Sequence, residues 1–128
     1  MNLFVDTSVW SLALRRGPPD PSASVTLLAT ALTEGGSVFT TGLVLQELLQ
    51  GFRGPKDRKQ ILERFSALPF VIPDREDHVN AAGLRNRCRR AGVQVGTVDA
   101  LLAQLCIHHR LSMSPRSRPC TCLPLGAS

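Results

Sequence analysis

Short apolar runs, each too short for a typical helix, recur along this 128-residue chain between longer segments of helical periodicity. Residues 3–6, 37–40 and 70–72 form three such runs, and residues 111–113 form a fourth. The first run lacks polar alternation, which predicts a strand that is buried on both faces. Strands separated by one or two helices each predict a parallel sheet with helices on both faces. The expected fold class is therefore α/β, in a single domain.

Helix start signals divide the remaining sequence into six predicted helices. They begin at or just after Thr7 or Ser8, Ser22 or Ser24, Thr41, Asp57, Asp74 and Thr97. The last two helices carry apolar stripes that include Cys88 and Cys106, so both thiols are expected in the core. The last helix ends at His108 and His109, where positive charge suits the C-terminal dipole, and a catalytic role for this pair is the weaker alternative.

The charge balance and the apolar pattern limit the partners of the chain. Lys and Arg number 15 against 10 Asp and Glu, for a formal charge of +5, which favours a polyanionic partner without requiring one. No apolar stretch approaches the roughly 20 residues of a membrane span. The first residues lack the basic segment of a signal peptide and already include an acid at Asp6. We therefore expect a cytoplasmic protein with no membrane partner.

Three carboxylates occupy places where an apolar environment is expected. Asp6 ends the first apolar run, Glu47 lies within an apolar helical segment, and Asp99 begins another. A carboxylate in such a place is costly unless something compensates it, and Mg²⁺ takes oxygen ligands of this kind. The three acids together therefore suggest a site for a divalent cation. Taken singly, Asp6 can also be a helix cap, Glu47 part of a solvated helix face, and Asp99 a residue that compensates a helix dipole.

The segments around these acids resemble three motifs of PIN-domain nucleases. They are Val5-Asp6-Thr7-Ser8-Val9-Trp10, then residues 40–51, and then residues 96–103. Within that family the resemblance is closest to VapC-type ribonuclease toxins of VapBC type II toxin–antitoxin systems, and it covers residues 1–113. The resemblance implies a doubly wound α/β/α sandwich and an endoribonuclease that depends on Mg²⁺ or Mn²⁺. It also implies a homodimer and inhibition by a cognate VapB-like antitoxin.

The resemblance assigns a role to each acid. Asp6, Glu47 and Asp99 match the acidic positions of the family's metal site, with Mg²⁺ held mainly by the two aspartates. Thr7 or Ser8 matches the small hydroxyl residue that supports the first acid. A basic cluster further along the chain would contact RNA phosphates, or would otherwise be an ordinary solvated helix face. Its members are Arg85, Arg87, Arg89 and Arg90.

The last segment of the chain departs from the family. No Asp or Glu follows Asp99, and the family's late acidic motif and final strand have no counterpart. In their place stands a proline-containing segment with Arg116, Ser117, Arg118 and Pro119. We therefore divide the chain into a PIN domain, residues 1–113, and a poorly ordered tail, residues 114–128, as a frameshift or truncation would produce. The alternative function is a degenerate, catalytically weak or inactive PIN domain that retains only antitoxin or sister-toxin binding.

Overall fold

The computed structural model describes residues 2–15, 17, 21–33 and 37–113. In chain order the elements are β1 (Asn2–Phe4), α1 (Thr7–Leu14), α2 (Ala23–Thr33), β2 (Ser37–Phe39), α3 (Gly42–Gly51), α4 (Pro55–Ser66), α5 (Arg75–Arg90), α6 (Thr97–His109) and β3 (Ser112–Met113). This α/β/α arrangement confirms the predicted fold class. The predictions about order, about a missing last strand and about the segment 116–119 lie outside the described residues.

A parallel sheet of three strands organises the described part of the molecule. Its order is β2-β1-β3, with Leu3 opposite Val38 on one side and Ser112 on the other. The central strand is buried on both faces, as its unbroken apolarity predicted, since Leu3 is 1% exposed and Phe4 is fully buried. Because all three strands are parallel, their carboxyl ends meet at one edge of the sheet, and Asp6 follows β1 at that edge.

The strand predicted at residues 70–72 is wrong, because only a single bridge between Thr40 and Phe70 is present. Two backbone bonds make this bridge, from Thr40 N to the Pro69 carbonyl at 3.1 Å and from Val71 N to the Thr40 carbonyl at 2.8 Å. The neighbouring Ile72 is 82% exposed. Prolines at positions 69 and 73 flank the segment and lack an N–H donor, so the ladder cannot extend in either direction.

Three predicted helix starts are shifted by one or two residues. Asp6, rather than Thr7 or Ser8, caps α1, because its side chain accepts a hydrogen bond from the Val9 backbone. Gly96 rather than Thr97 precedes α6. The fourth helix begins at a proline, a residue that favours the first turn because the N–H it lacks would be unpaired there.

Helix α6 is buried on two sides, which fixes the positions of both its ends. Leu102, Leu105 and Cys106 belong to the main core around the sheet. Ala100 and Leu101 instead pack into a second apolar cluster shared with α5, whose other members include Ala81, Cys88 and Val95. Both cysteines therefore lie in apolar cores, as predicted. Of the helices in the described ranges, none is both long and apolar enough to cross a membrane.

Candidate functional site

A pocket of about 400 Å³ lies beyond the carboxyl end of β1. It is lined by residues from the start of α1, from α3 and from the first turns of α6: Asp6, Thr7, Ser8, Glu47, Gly96, Thr97, Val98, Asp99 and Leu102. Each of the three acids that the sequence singled out comes from a different element. The fold therefore brings together three carboxylates that are far apart in the chain.

Asp6 is oriented by its own helix cap. Its Oδ1 atom accepts a hydrogen bond from Ser8 Oγ at 2.9 Å and another from the Val9 backbone N–H at 3.3 Å. The Asp6 backbone is extended, as an N-cap residue requires, so the carboxylate is presented where strand β1 passes into α1. Asp6 therefore caps a helix, as one of its two interpretations predicted, and it also lines the pocket. Its role as a cation ligand stays a prediction.

Glu47 is connected to the same strand end through Thr7. Thr7 Oγ1 donates a hydrogen bond of 2.8 Å to Glu47 Oε1 across 40 residues of sequence. Glu47 lies on the exposed side of α3, whose buried residues are Val44 and Leu48. The two neighbouring hydroxyl residues therefore orient different acids, since Ser8 donates to Asp6 and Thr7 donates to Glu47.

Asp99 completes the acidic set from the first turn of α6. Its side chain reaches solvent, yet partial desolvation raises its pKa above the ordinary range. The negative charges of Asp6 and then Glu47 raise this pKa further. The carboxylates are therefore close enough to repel one another, and a bound cation would relieve that repulsion.

The donor set of the pocket suits a hard divalent cation. Its ionisable groups are all carboxylates, and its remaining polar side chains are hydroxyls. Within the described part of the chain, no lysine or arginine lines the pocket. Oxygen donors with excess negative charge are the ligands that Mg²⁺ and Mn²⁺ prefer. Among the described residues that line the pocket there is no thiol or imidazole to favour a softer metal.

The predicted basic cluster divides into one half-buried arginine and three exposed ones. Arg85 is half-buried, and its Nε donates a hydrogen bond of 3.0 Å to the Val95 carbonyl. That bond joins α5 to the loop immediately before α6. The next residue of this loop, Gly96, lines the acidic pocket. Arg87, Arg89 and Arg90 are exposed near the end of α5.

The sequence pattern did not reveal a second polar cluster, which lies at the other end of α6. Asp77, in the first turn of α5, is only 1% exposed, and its Oδ1 atom lies 2.8 Å from His108 Nδ1. The backbone N–H of Asp74 donates to the other oxygen at 3.0 Å, and Gln104 also bonds this carboxylate. Burial acts to raise the pKa of Asp77, but these bonds and the charge of His108 outweigh it, so the pKa is lowered. The only signal in the sequence is the Asp74–Asp77 spacing of a capping box.

Comparisons with known proteins agree with this fold. The sequence matches the family model described as PIN domain over residues 3–113. A search of curated proteins finds no match. Similar solved structures include VapBC2 from Rickettsia felis bound to a DNA fragment from its promoter, with 19% identity, a TM-score of 0.68, and coverage of 88% of this chain and 85% of that chain. They also include FitAB bound to the IR36 DNA fragment, with 19% identity, a TM-score of 0.68, and coverage of 91% of this chain and 90% of that chain. FitAcB from Neisseria gonorrhoeae has 23% identity and a TM-score of 0.60, with coverage of 87% of this chain and 84% of that chain.

Proposed function

The chain belongs to the PIN domain family, and on this premise we propose that it is a metal-dependent endoribonuclease, the toxin of a type II toxin–antitoxin system. PIN domains are typically nucleases, so the family sets the reaction class. The observation that carries the proposal is the convergence of Asp6, Glu47 and Asp99 in one open pocket. Hydrolysis of a phosphodiester needs positive charge to offset the negative charge of the phosphate. The described residues that line the pocket include three carboxylates and no basic side chain, so a bound cation would supply that charge.

Asp6 and Asp99 would hold Mg²⁺ or Mn²⁺, with Glu47 completing the set of ligands. When bound, the cation supplies Lewis-acid chemistry, in that it lowers the pKa of a water molecule and offsets charge on the scissile phosphate. The protein's own contribution is orientation. Ser8 and the α1 N-terminus fix the Asp6 carboxylate, and Thr7 fixes that of Glu47.

The exposed arginines near the end of α5 would hold the RNA backbone. Arg87, Arg89 and Arg90 precede the short loop that leads to Gly96, so the same segment connects them to the pocket. Contacts of this kind position a phosphate chain without reading its sequence. Arg85 belongs to the same proposed group, with its Nε bond to the loop limiting its freedom. A formal charge of +5 supports a polyanionic substrate, and we place the reaction in the cytoplasm.

We propose a VapB-like antitoxin as the protein partner. Two of the similar structures are the complexes VapBC2 and FitAB, and each is bound to DNA. A partner segment that binds over the pocket would restrain the nuclease, as a helix does when it occupies a groove. A homodimer is part of the same proposal.

The test is cleavage of total RNA by the purified full-length chain with Mg²⁺ or Mn²⁺. Asp6→Asn and Asp99→Asn should each reduce the rate roughly 100-fold or more, because each removes a charge that the cation needs. Glu63→Gln is the matched control, since Glu63 is an exposed acid on α4 outside the pocket. Circular dichroism should show that all variants remain folded. If cleavage survives in both aspartate variants, the proposed site is wrong.

A degenerate PIN domain that only binds a partner is the second candidate. The observation that favours it is the absence of any Asp or Glu after Asp99, where the resemblance to the family leads us to expect a further acidic motif. Expression without an antitoxin separates the two candidates. Growth arrest that disappears with Asp6→Asn supports the enzyme, whereas normal growth with abundant folded protein supports the binding module.

A further inference from the structure

The C-terminal end of α6 carries ligand atoms that the acidic pocket does not use. Asp77, His108 and His109 each offer one such atom, and these atoms lie within 4.8 Å of one another. We propose that His108 and His109 bind a late first-row divalent cation such as Zn²⁺, with Asp77 orienting the first imidazole from behind. This site would be chemically different from the oxygen-lined pocket at the other end of the same helix.

The Asp77–His108 pair has the arrangement that metal-binding histidines use. His108 Nδ1 lies 2.8 Å from Asp77 Oδ1, and the side chains are 44% and 2% exposed respectively. With Nδ1–H donating to the buried carboxylate, the lone pair of the imidazole is on Nε2, the other ring nitrogen. A carboxylate bonded to the far nitrogen also makes the imidazole a stronger ligand.

Asp77 is held too firmly to be a direct ligand itself. Its Oδ2 atom accepts from the Asp74 backbone at 3.0 Å while Oδ1 faces His108, and Gln104 bonds the same carboxylate. Gln104 and His108 are four residues apart, so they lie on the same face of α6, against Asp77. The role of Asp77 is therefore to position His108.

His109 supplies the second imidazole. Its ring stacks on that of His108 with the centroids 4.2 Å apart and an angle of 30° between the planes. An imidazole binds a cation in its own ring plane, so one of the two exposed rings has to turn out of this stack before both nitrogens face the same ion. Two imidazoles favour Zn²⁺, Ni²⁺ or Cu²⁺ over Mg²⁺, and the dipole at a helix C-terminus favours a cation. Since both rings reach solvent, water would complete the coordination, and the site would join the end of α6 to the start of α5.

The two ends of α6 are far enough apart to be tested independently. His108 lies nine positions after Asp99, which is about 13.5 Å along a helix axis. An excess of Mg²⁺ should fill the acidic pocket and leave the imidazoles free. Cys120 and Cys122 are kept in the parent protein and in every variant alike, so any Zn²⁺ that they bind does not distinguish one variant from another.

The experiment is calorimetric titration of the full-length chain with Zn²⁺ in the presence of excess Mg²⁺. His108→Ala and His109→Ala should each weaken binding about 10-fold or more, and Asp77→Asn should weaken it about 10-fold through the orientation of His108. His78→Ala is the matched control, because the third histidine of the chain is exposed on α5 outside the cluster, and it should bind as the parent does. Equal affinity in the parent and in His108→Ala would overturn the proposal.

Cu²⁺ gives a second readout that does not depend on the stability of the Asp77 variant. Electron paramagnetic resonance of the parent with one equivalent of Cu²⁺ should show nitrogen hyperfine coupling, which His108→Ala and His109→Ala should each reduce. A spectrum that is unchanged in both variants contradicts the site.

Discussion

Two aspartates lie at opposite ends of the α5–α6 pair, and the directions of their pKa shifts are the reverse of what burial alone predicts. Asp77 is 1% exposed, and its pKa is lowered. Asp99 reaches solvent, and its pKa is raised. Desolvation penalises the charged form of a carboxylate, so the buried residue should have been the one with the raised pKa. The difference must therefore come from the groups around each carboxylate.

Asp77 is surrounded by donors, whereas Asp99 is surrounded by acids. Burial raises the pKa of Asp77, but the backbone N–H of Asp74 and the imidazole of His108 more than offset this effect. For Asp99, the effect of desolvation is increased by repulsion from Asp6 and Glu47. A carboxylate that the protein itself satisfies is structural, and one left in mutual repulsion is the candidate for ligand binding.

The largest effect on stability is expected from Asp77→Ala. The substitution leaves the Asp74 backbone and Gln104 without their buried partner, which should lower the free energy of unfolding by on the order of 3 kcal/mol. Urea unfolding measures the change. Glu76→Ala is the control, since Glu76 is exposed in the same helical turn, and a similar loss in both variants would contradict the structural role of Asp77.

The stability that Asp77 contributes should depend on pH in the acid range. Because the folded pKa of Asp77 is lowered, its contribution is fully present above the unfolded pKa of about 3.9 and is lost as the pH falls through the folded value. The stability difference between the parent and Asp77→Ala should therefore shrink below about pH 4. A difference that is constant down to pH 2 would contradict this account.

Divalent cations should stabilise the fold through the other end of α6. A cation that binds only the folded state adds about 2.7 kcal/mol at a concentration 100 times its dissociation constant. The melting temperature should therefore rise with Mg²⁺ or Mn²⁺ in the parent and in Glu63→Gln, but not in Asp99→Asn. NaCl at equal ionic strength separates binding from screening, and an equal rise with NaCl would argue against a bound cation.

The three acids of the pocket are easier to recognise in the sequence than the Asp77–His108 pair. Asp6, Glu47 and Asp99 each lie within an apolar segment or at its end, so their positions are unusual in the sequence itself. Asp77 follows two other polar residues at a helix start, where acids are common, and its partner His108 is 31 residues away. Long-range pairing of this kind has no local signal. His108 was therefore predicted to suit the helix dipole, with a catalytic role as the weaker alternative, and its contact with Asp77 was missed.

The errors in the fold prediction have a similar origin. The apolar run 70–72 has strand propensity, but the prolines that flank it reduce the pairing seen in the described residues to one bridge. The α1 cap was assigned to Thr7 or Ser8 because hydroxyl residues favour that position, whereas Asp6 takes it. The hydroxyls are instead bonded to carboxylates, Ser8 to Asp6 two residues away and Thr7 to Glu47, which is 40 residues away. Only the second bond lies beyond the reach of a local pattern.

A smaller effect is expected from the loop that precedes α6 and its Asp99. Arg85→Ala removes the hydrogen bond from Nε to the Val95 carbonyl, so it should cost about 1 kcal/mol of stability and weaken the binding of Mn²⁺. Arg87→Ala is the control for the loss of positive charge alone, because Arg87 is exposed one turn away from the same loop. Titration with Mn²⁺ and urea unfolding measure both quantities. Identical Mn²⁺ affinities in the two variants would mean that the bond does not position the pocket.

The smallest expected effect tests whether the charge of Asp99 destabilises the folded protein, in contrast to that of Asp77. Asp99→Asn removes a carboxylate whose folded pKa is raised, so without divalent cations it should stabilise the protein, by less than about 1 kcal/mol because solvent screens the repulsion. The penalty exists only while Asp99 is charged, so it should disappear as the pH falls through the raised pKa and the carboxyl becomes protonated. Urea unfolding at pH 7 and at pH 4, with a chelator present, measures both. A loss of stability at pH 7 would show that Asp99, like Asp77, is held by partners within the protein, and the contrast between the two ends of α6 would no longer identify the functional one.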